Sequence, residues 1–186
     1  AATLIKHGTP EQQVHLAAIF NGEVWCQGFS EPNAGSDLAA LQCRAVRDGD
    51  VYVVNGQKIW SSGAHHASWC LLLARTDPDA PKRHGISYFL LDMTTPGIDV
   101  RPIRNAIGDS HFCEIFLNDV RIPHTNLVGA ENAGWQVAQA TLGAERDRVA
   151  ELLGQVRPAE AHADARDHGG FASSQLHHLA HDAWQD

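Results

Sequence analysis

Residues 24–122 contain a series of short apolar runs separated by turn residues, and this pattern constrains the fold most strongly. The runs are rich in β-branched, aromatic and leucine side chains, as short strands are; they cover residues 41–47, 51–55, 69–75, 86–92, 100–104 and 112–117. Residues 48–50, Asp-Gly-Asp, predict a hairpin between the first two runs, and Asn55-Gly56 predicts a second turn. Short strands at this spacing predict a compact antiparallel β-barrel, with a sandwich as the alternative.

Helical patterns flank the β region on both sides. Residues 9–12 have the Thr-Pro-x-Gln spacing of a capping box, and Asn21-Gly22 is expected to end the helix that begins there. Residues 133–154 repeat apolar side chains three and four apart, which predicts a second amphipathic helix. The polar stretch 155–172 is expected to form a weak helix end and a loop before a last helix capped by Ser173 or Ser174.

The predicted fold class is therefore α+β, with an antiparallel β-barrel middle domain flanked by partial helical domains. We expect residues 1–23 to end an N-terminal helical domain, residues 24–128 to form the barrel, and residues 129–186 to begin a C-terminal helical domain. The chain has no initiator methionine and opens inside helix-like sequence, so we expect it to be truncated at both ends.

Charge and composition exclude several classes of partner. A net charge of −8 argues against nucleic acid, because phosphate binding needs a basic surface. No apolar run approaches the roughly 18 residues that would span a bilayer, and the start of the chain lacks a signal-peptide pattern. These features predict a cytoplasmic protein with neither a membrane span nor a nucleic-acid ligand.

Cysteine and histidine usage gives little support for a metal site. The 4 cysteines are widely spaced within apolar runs, which predicts reduced, buried thiols; a disulfide or zinc framework is the alternative. Of the 12 histidines, His65 and His66 are adjacent and point apart, whereas His177 and His181 have a spacing that could clamp zinc. No further ligand completes that pair, so no metal is predicted.

Two stretches have the composition of a cofactor site. Residues 26–37 read CQGFSEPNAGSD and residues 55–63 read NGQKIWSSG, each joining a strand-like run to a turn with hydroxyl side chains. Such turns gather backbone amides into anion-binding nests, and Trp60 adds a flat aromatic surface. The pair suits a large, flat cofactor with polar edges. Taken singly, each stretch also fits a simpler structure, a surface loop for the first and a core tryptophan for the second.

The same two stretches resemble the middle domain of the acyl-CoA dehydrogenase family. That family has Thr/Ser-Glu-Pro-x-Ala-Gly-Ser-Asp followed by Asn-Gly-x-Lys-x-Trp-x-Ser/Thr, and both blocks occur here in order and at matching spacing. The resemblance continues through ARTD at 74–77, TPGI at 95–98, FLNDVRIP at 116–123 and NLVG at 126–129. It covers roughly residues 8–155 and implies FAD as the cofactor.

The resemblance assigns roles to particular residues. In the family, the first block contacts the isoalloxazine ring, and the corresponding residues here are Gln27, Phe29 and Ser30. The positions that follow lie nearer the pyrophosphate and the acyl-CoA, and here they are Gly35 and Ser36. The second block lies along the flavin and places a hydroxyl near the N5 edge; its residues are Trp60, Ser61 and Ser62, the last supplying that hydroxyl. Gln27 departs from the aromatic residue often found at its position.

Glu145 is the predicted base, and Arg146 is predicted to lie close to substrate. Dehydrogenation of a thioester needs a carboxylate for the α-proton and a hydride acceptor for the β-hydrogen. Glu145-Arg146 resembles isovaleryl- and long-chain-type enzymes, which place the base on this helix; many other members place it in the C-terminal helical domain. The alternative for Glu145 is a surface carboxylate paired with Arg146 or Arg148.

The implied reaction converts an acyl-CoA thioester into the trans-2-enoyl-CoA, a step of fatty acid β-oxidation. The implied partners are acyl-CoA, an electron-transfer flavoprotein that reoxidises the flavin, and further subunits of a homo- or hetero-oligomer. Three alternatives remain open: a flavin oxidase or monooxygenase of the same fold, a non-catalytic subunit, and an inert fragment that acts only as a binding module.

Overall fold

The computed structural model describes residues 1–163. The chain divides into two compact units, Ala1–Thr141 and a second that begins at Leu142. Three short helices come first: α1 (Ala2–His7), α2 (Pro10–Gln13) and α3 (His15–Phe20). The strands are β1 (Trp25–Gly28), β2 (Arg44–Asp48), β3 (Val51–Ser62), β4 (Trp69–Arg75), β5 (Ile86–Asp92), β6 (Ile98–Ile103), β7 (Phe112–Pro123) and β8 (Leu127–Val128). Helix α4 (Gly134–Ala163) follows.

The first predicted helix forms, with a break. The capping box at Thr9 is confirmed: its hydroxyl accepts from the Gln12 amide, and the Gln12 side chain accepts from the Thr9 amide. The segment is then split into α2 and α3 at Val14, which keeps nearly helical dihedral angles (φ −59°, ψ −26°). The buried Gln12 side chain also donates to the carbonyls of Thr125 and Leu127, so the cap ties this helix to the sheet.

The strands form one open, mixed sheet. Its order is β6-β7-β3-β2-β4-β5-β8, with β1 paired to β4 off this path. The β1–β4 pairing and the single β2–β4 bridge, Arg44 to Arg75, are parallel; the other pairings are antiparallel. The predicted antiparallel barrel is therefore wrong in two respects, since the sheet is neither closed nor wholly antiparallel. Closure depends on pairing between the outermost strands, here β6 and β8, and local patterns carry no information about that pairing.

Two bulges in the β3–β7 pair explain why these strands are longer than predicted. Asn55-Gly56 does not turn the chain; β3 runs through it, and the register shifts between Val54 and Gly56. The extra residue on β7 is Asp119, at φ 50°, and it exchanges two hydrogen bonds with the Asn55 side chain (3.0 and 2.9 Å). The second shift lies between Lys58 and Ser61. A bulge bends a strand without ending it, so a turn-like dipeptide can lie inside a strand.

The apolar core cluster is built mainly from strand side chains, and β5 is buried on both of its faces. The cluster includes large side chains from four strands, β3, β4, β5 and β7: Tyr52, Leu72, Phe89, Leu91, Ile115, Leu117 and Val120. All four cysteines are buried and free, as predicted. None of the helices within residues 1–163 is long and apolar enough to cross a membrane. The last predicted helix, after Ser173, lies outside the described residues, and the predicted domain boundaries stay predictions.

Gly97 offers a test of how the β6–β7 end of the sheet is held. Gly97 and Gly22 both have φ near +90° (95° and 92°), but their surroundings differ. A Cβ atom added at Gly97 would lie 2.2 Å from the Asn118 carbonyl oxygen, whereas a Cβ atom added at Gly22 would meet open space. We expect Gly22→Ala to lower the free energy of unfolding by about 1 kcal/mol, the cost of positive φ for an L-residue. Gly97→Ala should cost at least about 2 kcal/mol more, because backbone must also move.

Urea unfolding of the two variants measures the difference. Equal losses at the two positions would contradict the tight packing of the Gly97 turn against β7.

Candidate functional site

The structure brings the two predicted cofactor stretches together. The first leaves β1 at Gly28, and the second runs from Asn55 to the end of β3 and one residue beyond it. The Ile59 amide donates to the Ser30 carbonyl at 2.9 Å, so the chain after β1 lies directly beside β3. Residues about 30 positions apart in sequence thus form one continuous surface.

A buried ion pair joins the stretches from the interior. Lys58 is 0% exposed, and its Nζ donates to Glu31 Oε1 at 2.8 Å and to the Phe29 carbonyl at 3.1 Å. The Glu31 carboxylate, 9% exposed, also accepts from the backbone amides of Gln42 (2.7 Å) and Cys43 (2.8 Å). A buried charge is costly unless it is paired and hydrogen-bonded, and both charges meet that condition here.

The turn that follows Glu31 is short and closed by backbone hydrogen bonds. The Glu31 amide donates to the Ala34 carbonyl (3.1 Å), and the Ala34 amide donates back to Glu31 (3.0 Å). Gly35 and Ser36 come next and are exposed, with open space around the Gly35 Cα. The turn therefore presents a glycine and a hydroxyl to any ligand that approaches from outside. Beside it opens a cleft of about 350 Å³.

The second bulge on β3 sets the direction of Trp60. Lys58 and Ser61 are three residues apart on β3, but their partners on β7, Ile115 and Cys113, are only two residues apart. β3 therefore contains one extra residue here, Trp60. Trp60 has φ 62°, a conformation that non-glycine residues rarely adopt, and its side chain is 57% exposed. Its ring meets the Phe112 ring edge-on, with centroids 6.0 Å apart. Bulges of this kind re-aim a side chain.

The predicted cofactor residues differ in what they expose. Ser62 is exposed beside Trp60, whereas Ser61 is 1% exposed and its Oγ has no hydrogen-bond partner among the described residues. Phe29 is also buried, while Gln27 and Ser30 are half-buried. Ser61 and Phe29, 1% and 6% exposed, therefore present almost no surface to an external ligand.

Glu145 and Arg146 lie in the unit that begins at Leu142, and both side chains are exposed on α4. The roles predicted for them stay predictions. Within residues 1–163, no group of three histidine, cysteine or carboxylate side chains is arranged to hold a metal ion. His177 and His181, the pair with zinc-like spacing, lie outside the described residues.

Glu31, Lys58 and Phe112 were not singled out from the sequence. The first two lie inside the recognised blocks, but Glu31 stands between Ser30 and Pro32 and Lys58 follows Gln57, so no local apolar pattern marks them as a buried pair. Phe112 is brought next to Trp60 by the β3–β7 register, where Ser62 faces Phe112, and that register is not visible in the sequence.

Comparison with known proteins agrees with this geometry. A profile described as the acyl-CoA dehydrogenase middle domain matches residues 26–120, half of the chain. Acyl-CoA dehydrogenase FadE34 of Mycobacterium tuberculosis is 55% identical over 162 residues, covering 86% of this chain. The chain belongs to the acyl-CoA dehydrogenase family.

Solved structures are similar as well. A structure described as the Tcur3481-Tcur3483 steroid ACAD G363A variant superposes with a TM-score of 0.74 at 41% identity, covering 77% of this chain. A glutaryl-CoA dehydrogenase from Mycobacterium smegmatis, in complex with FADH2, gives a TM-score of 0.64 at 30% identity, covering 76% of this chain. The chain spans only part of each of these proteins: 23% of FadE34, 38% of the steroid ACAD and 36% of the glutaryl-CoA dehydrogenase.

Trp60 provides a test of the strained bulge. Alanine at this position loses the ring but keeps a Cβ at positive φ, whereas glycine loses both the ring and the strain. We expect Trp60→Gly to be more stable than Trp60→Ala by about 1 kcal/mol, the reverse of the usual order in a strand. Urea unfolding of both variants checks this, and Trp60→Ala proving the more stable would contradict the observed backbone.

Cys43 provides a test of burial beneath the turn. Burial raises the pKa of its thiol from 9.0 to about 11. In the unfolded chain the thiol ionises near pH 9 while the folded protein keeps it protonated, so stability is lost as the pH rises from 9 towards 11. We expect Cys43→Ala to reduce this alkaline loss by up to about 1.4 kcal/mol per pH unit.

Unfolding free energies measured at pH 8, 9, 10 and 10.5 test the slope. An unchanged slope in Cys43→Ala would show that the thiol titrates normally in the folded protein.

Proposed function

We propose that this chain forms the flavin-binding part of an FAD-dependent acyl-CoA dehydrogenase, which converts an acyl-CoA thioester into the trans-2-enoyl-CoA. The observation that carries the proposal is the junction of the two stretches, made by the Ile59–Ser30 backbone hydrogen bond and by the Lys58 ammonium on the Phe29 carbonyl. Family membership and the names of the relatives support it.

The residues at this junction fit FAD. A flavin ring needs an aromatic or apolar surface with polar groups at its edge. The bulge presents the exposed Trp60 ring beside the exposed Ser62 hydroxyl, and the half-buried Ser30 lies next to Ile59. Similarity to the glutaryl-CoA dehydrogenase, whose structure is a complex with FADH2, supports the same cofactor.

Each predicted residue has a proposed role that agrees with its exposure. Trp60 supplies the aromatic surface, Ser62 donates its hydroxyl near the N5 edge, and Gln27 and Ser30 contact the ring edge. Phe29 and Ser61 are buried, so their proposed place is directly beneath the residues that contact the cofactor. Gly35 and Ser36, exposed after the closed turn, lie towards the pyrophosphate and the acyl-CoA. When bound, FAD supplies the acceptor for the β-hydride.

Glu145 is proposed as the base that removes the α-proton of the thioester, with Arg146 close to substrate. A carboxylate removes this proton only when it is ionised, and enclosure next to an acyl chain would raise its pKa towards working pH. The support is the Glu145-Arg146 sequence, which resembles the members that place their base on this helix.

The substrate, electron acceptor and assembly are proposed more broadly. Similarity to a steroid ACAD at 41% identity supports a bulky, ring-containing acyl-CoA as one substrate class, beside the fatty acyl-CoAs of β-oxidation. An electron-transfer flavoprotein is the proposed acceptor, and the proposed assembly is a homo- or hetero-oligomer, both by resemblance to the family.

Flavin bleaching in the full-length protein tests the reaction and the base together. Wild-type protein titrated anaerobically with straight-chain and steroid-derived acyl-CoAs should lose its flavin absorbance with at least one of them. Glu145→Gln should keep FAD bound but bleach about 10²- to 10⁴-fold more slowly, the usual contribution of a positioned base. Asp147→Asn, at an exposed carboxylate two residues further along α4, is the matched control and should behave as wild type.

Bleaching that survives in Glu145→Gln would assign the base to another residue. Wild-type protein without flavin would overturn the proposed function.

A further inference from the structure

The Lys58 ammonium occupies a fixed position beneath the flavin-side surface. Its side chain is 0% exposed, and its position is set by Glu31, 2.8 Å away. Glu31 is fixed in turn by the two backbone amides of Gln42 and Cys43. The Glu31 carboxylate thus accepts three hydrogen bonds, two from backbone amides and one from the Lys58 ammonium, and it has little freedom to move. The ammonium that is paired with it is therefore also held in place.

The Phe29 carbonyl points inward because Lys58 donates to it at 3.1 Å. The peptide unit that carries this carbonyl also carries the Ser30 amide, and the peptide is trans. In a planar trans peptide the C=O and N–H bonds point in opposite directions. The Ser30 N–H therefore points away from the Lys58 ammonium and out of the interior.

The following peptide unit is oriented by the same strand. The Ser30 carbonyl accepts from the Ile59 amide at 2.9 Å. The Lys58 side chain thus holds the peptide unit before Ser30. The Ile59 backbone amide holds the peptide unit after it. The orientation of the Ser30 amide depends on an ion pair that lies one layer beneath it.

We propose that Lys58, fixed by Glu31, is a positioning residue for the flavin: it aims the Ser30 amide outward, where that amide donates to the carbonyl edge of the isoalloxazine ring. This inference rests on the proposed function. Lys58 does not touch the cofactor, since its ammonium is buried, and it acts through the Phe29–Ser30 peptide. Glu31 serves to hold the ammonium in place.

A purely structural ion pair would behave differently from a positioning pair. Loss of a structural pair lowers stability and leaves the flavin affinity of the folded protein unchanged. Loss of a positioning pair weakens flavin binding and changes the environment of one particular amide. Both properties can be measured on the same variants, so the two roles are separable.

The test uses the full-length protein with Lys58→Met, which keeps an unbranched side chain but removes the charge and the donor. Arg121→Met is the matched control, because it makes the same change of charge in an exposed pair with Asp48 (2.8 Å) that joins β7 to β2. FAD affinity is measured by quenching of flavin fluorescence on the apoprotein. The Ser30 amide is followed by hydrogen exchange with and without FAD.

We expect the dissociation constant of FAD to rise about 10- to 100-fold in Lys58→Met, as for loss of one strong hydrogen bond, and to stay unchanged in Arg121→Met. FAD should protect the Ser30 amide from exchange in wild type and in Arg121→Met, but not in Lys58→Met.

The double variant Glu31→Gln/Lys58→Met removes both charges and keeps the test available if the single variant does not fold. It should show the same loss of affinity, because the Phe29 carbonyl has still lost its donor.

The outcomes separate the two proposals. Wild-type protein that binds FAD without protecting the Ser30 amide would overturn the positioning role, and so would a folded variant with wild-type affinity; both results leave the proposed function standing. Wild-type protein that binds no FAD would overturn the proposed function and this inference with it.

Discussion

The ion pair between Lys58 and Glu31 is the interaction on which the candidate site depends. The pair is buried, and it joins three segments: the residue just after β1, the turn that follows it, and β3. Removing one partner would leave a buried charge without compensation, which commonly costs about 3–5 kcal/mol. The pair can persist because the Lys58 ammonium donates to the Phe29 carbonyl and to Glu31, while two backbone amides donate to the Glu31 carboxylate. Because of its location, the pair connects the buried part of β3 to the residues that form the candidate site.

The two bulges of the β3–β7 pair have complementary effects. One lies on β7 at Asp119 and is held by reciprocal hydrogen bonds with Asn55; the other lies on β3 and turns Trp60 outward. Counted from the buried Lys58, regular alternation along β3 would bury residue 60 and expose residue 61. Here Trp60 and Ser62 are exposed and Ser61 is buried, and the bulge adds an aromatic ring that projects at an unusual backbone angle. An uncommon dihedral angle at an exposed aromatic residue agrees with a role in ligand contact, since strain of this kind collects at functional sites.

Much of the fold was predictable because local signals were strong. The strands at 69–75 and 86–92 have the bounds expected from their apolar runs, and the capping box at Thr9 forms as its spacing predicts. The turn residues at 48–50 separate β2 from β3 as expected. The failures share one cause. Asn55-Gly56 looks like a hairpin turn to any local rule, yet it lies inside a strand because pairing with β7 outweighs its turn preference. The predicted barrel failed because closure depends on whether the two outermost strands, β6 and β8, pair with each other, which no local pattern reports.

The sequence by itself determined the family, the two stretches that form the candidate site, and the type of each residue in them. Those features depend on residue identity and short spacing, both of which are local. Only the tertiary structure decided which of these residues are exposed, which are buried, and that Glu31 and Lys58 meet at 2.8 Å beneath them. Burial and pairing between segments arise when distant parts of the chain come into contact, so the order of residues alone does not contain them.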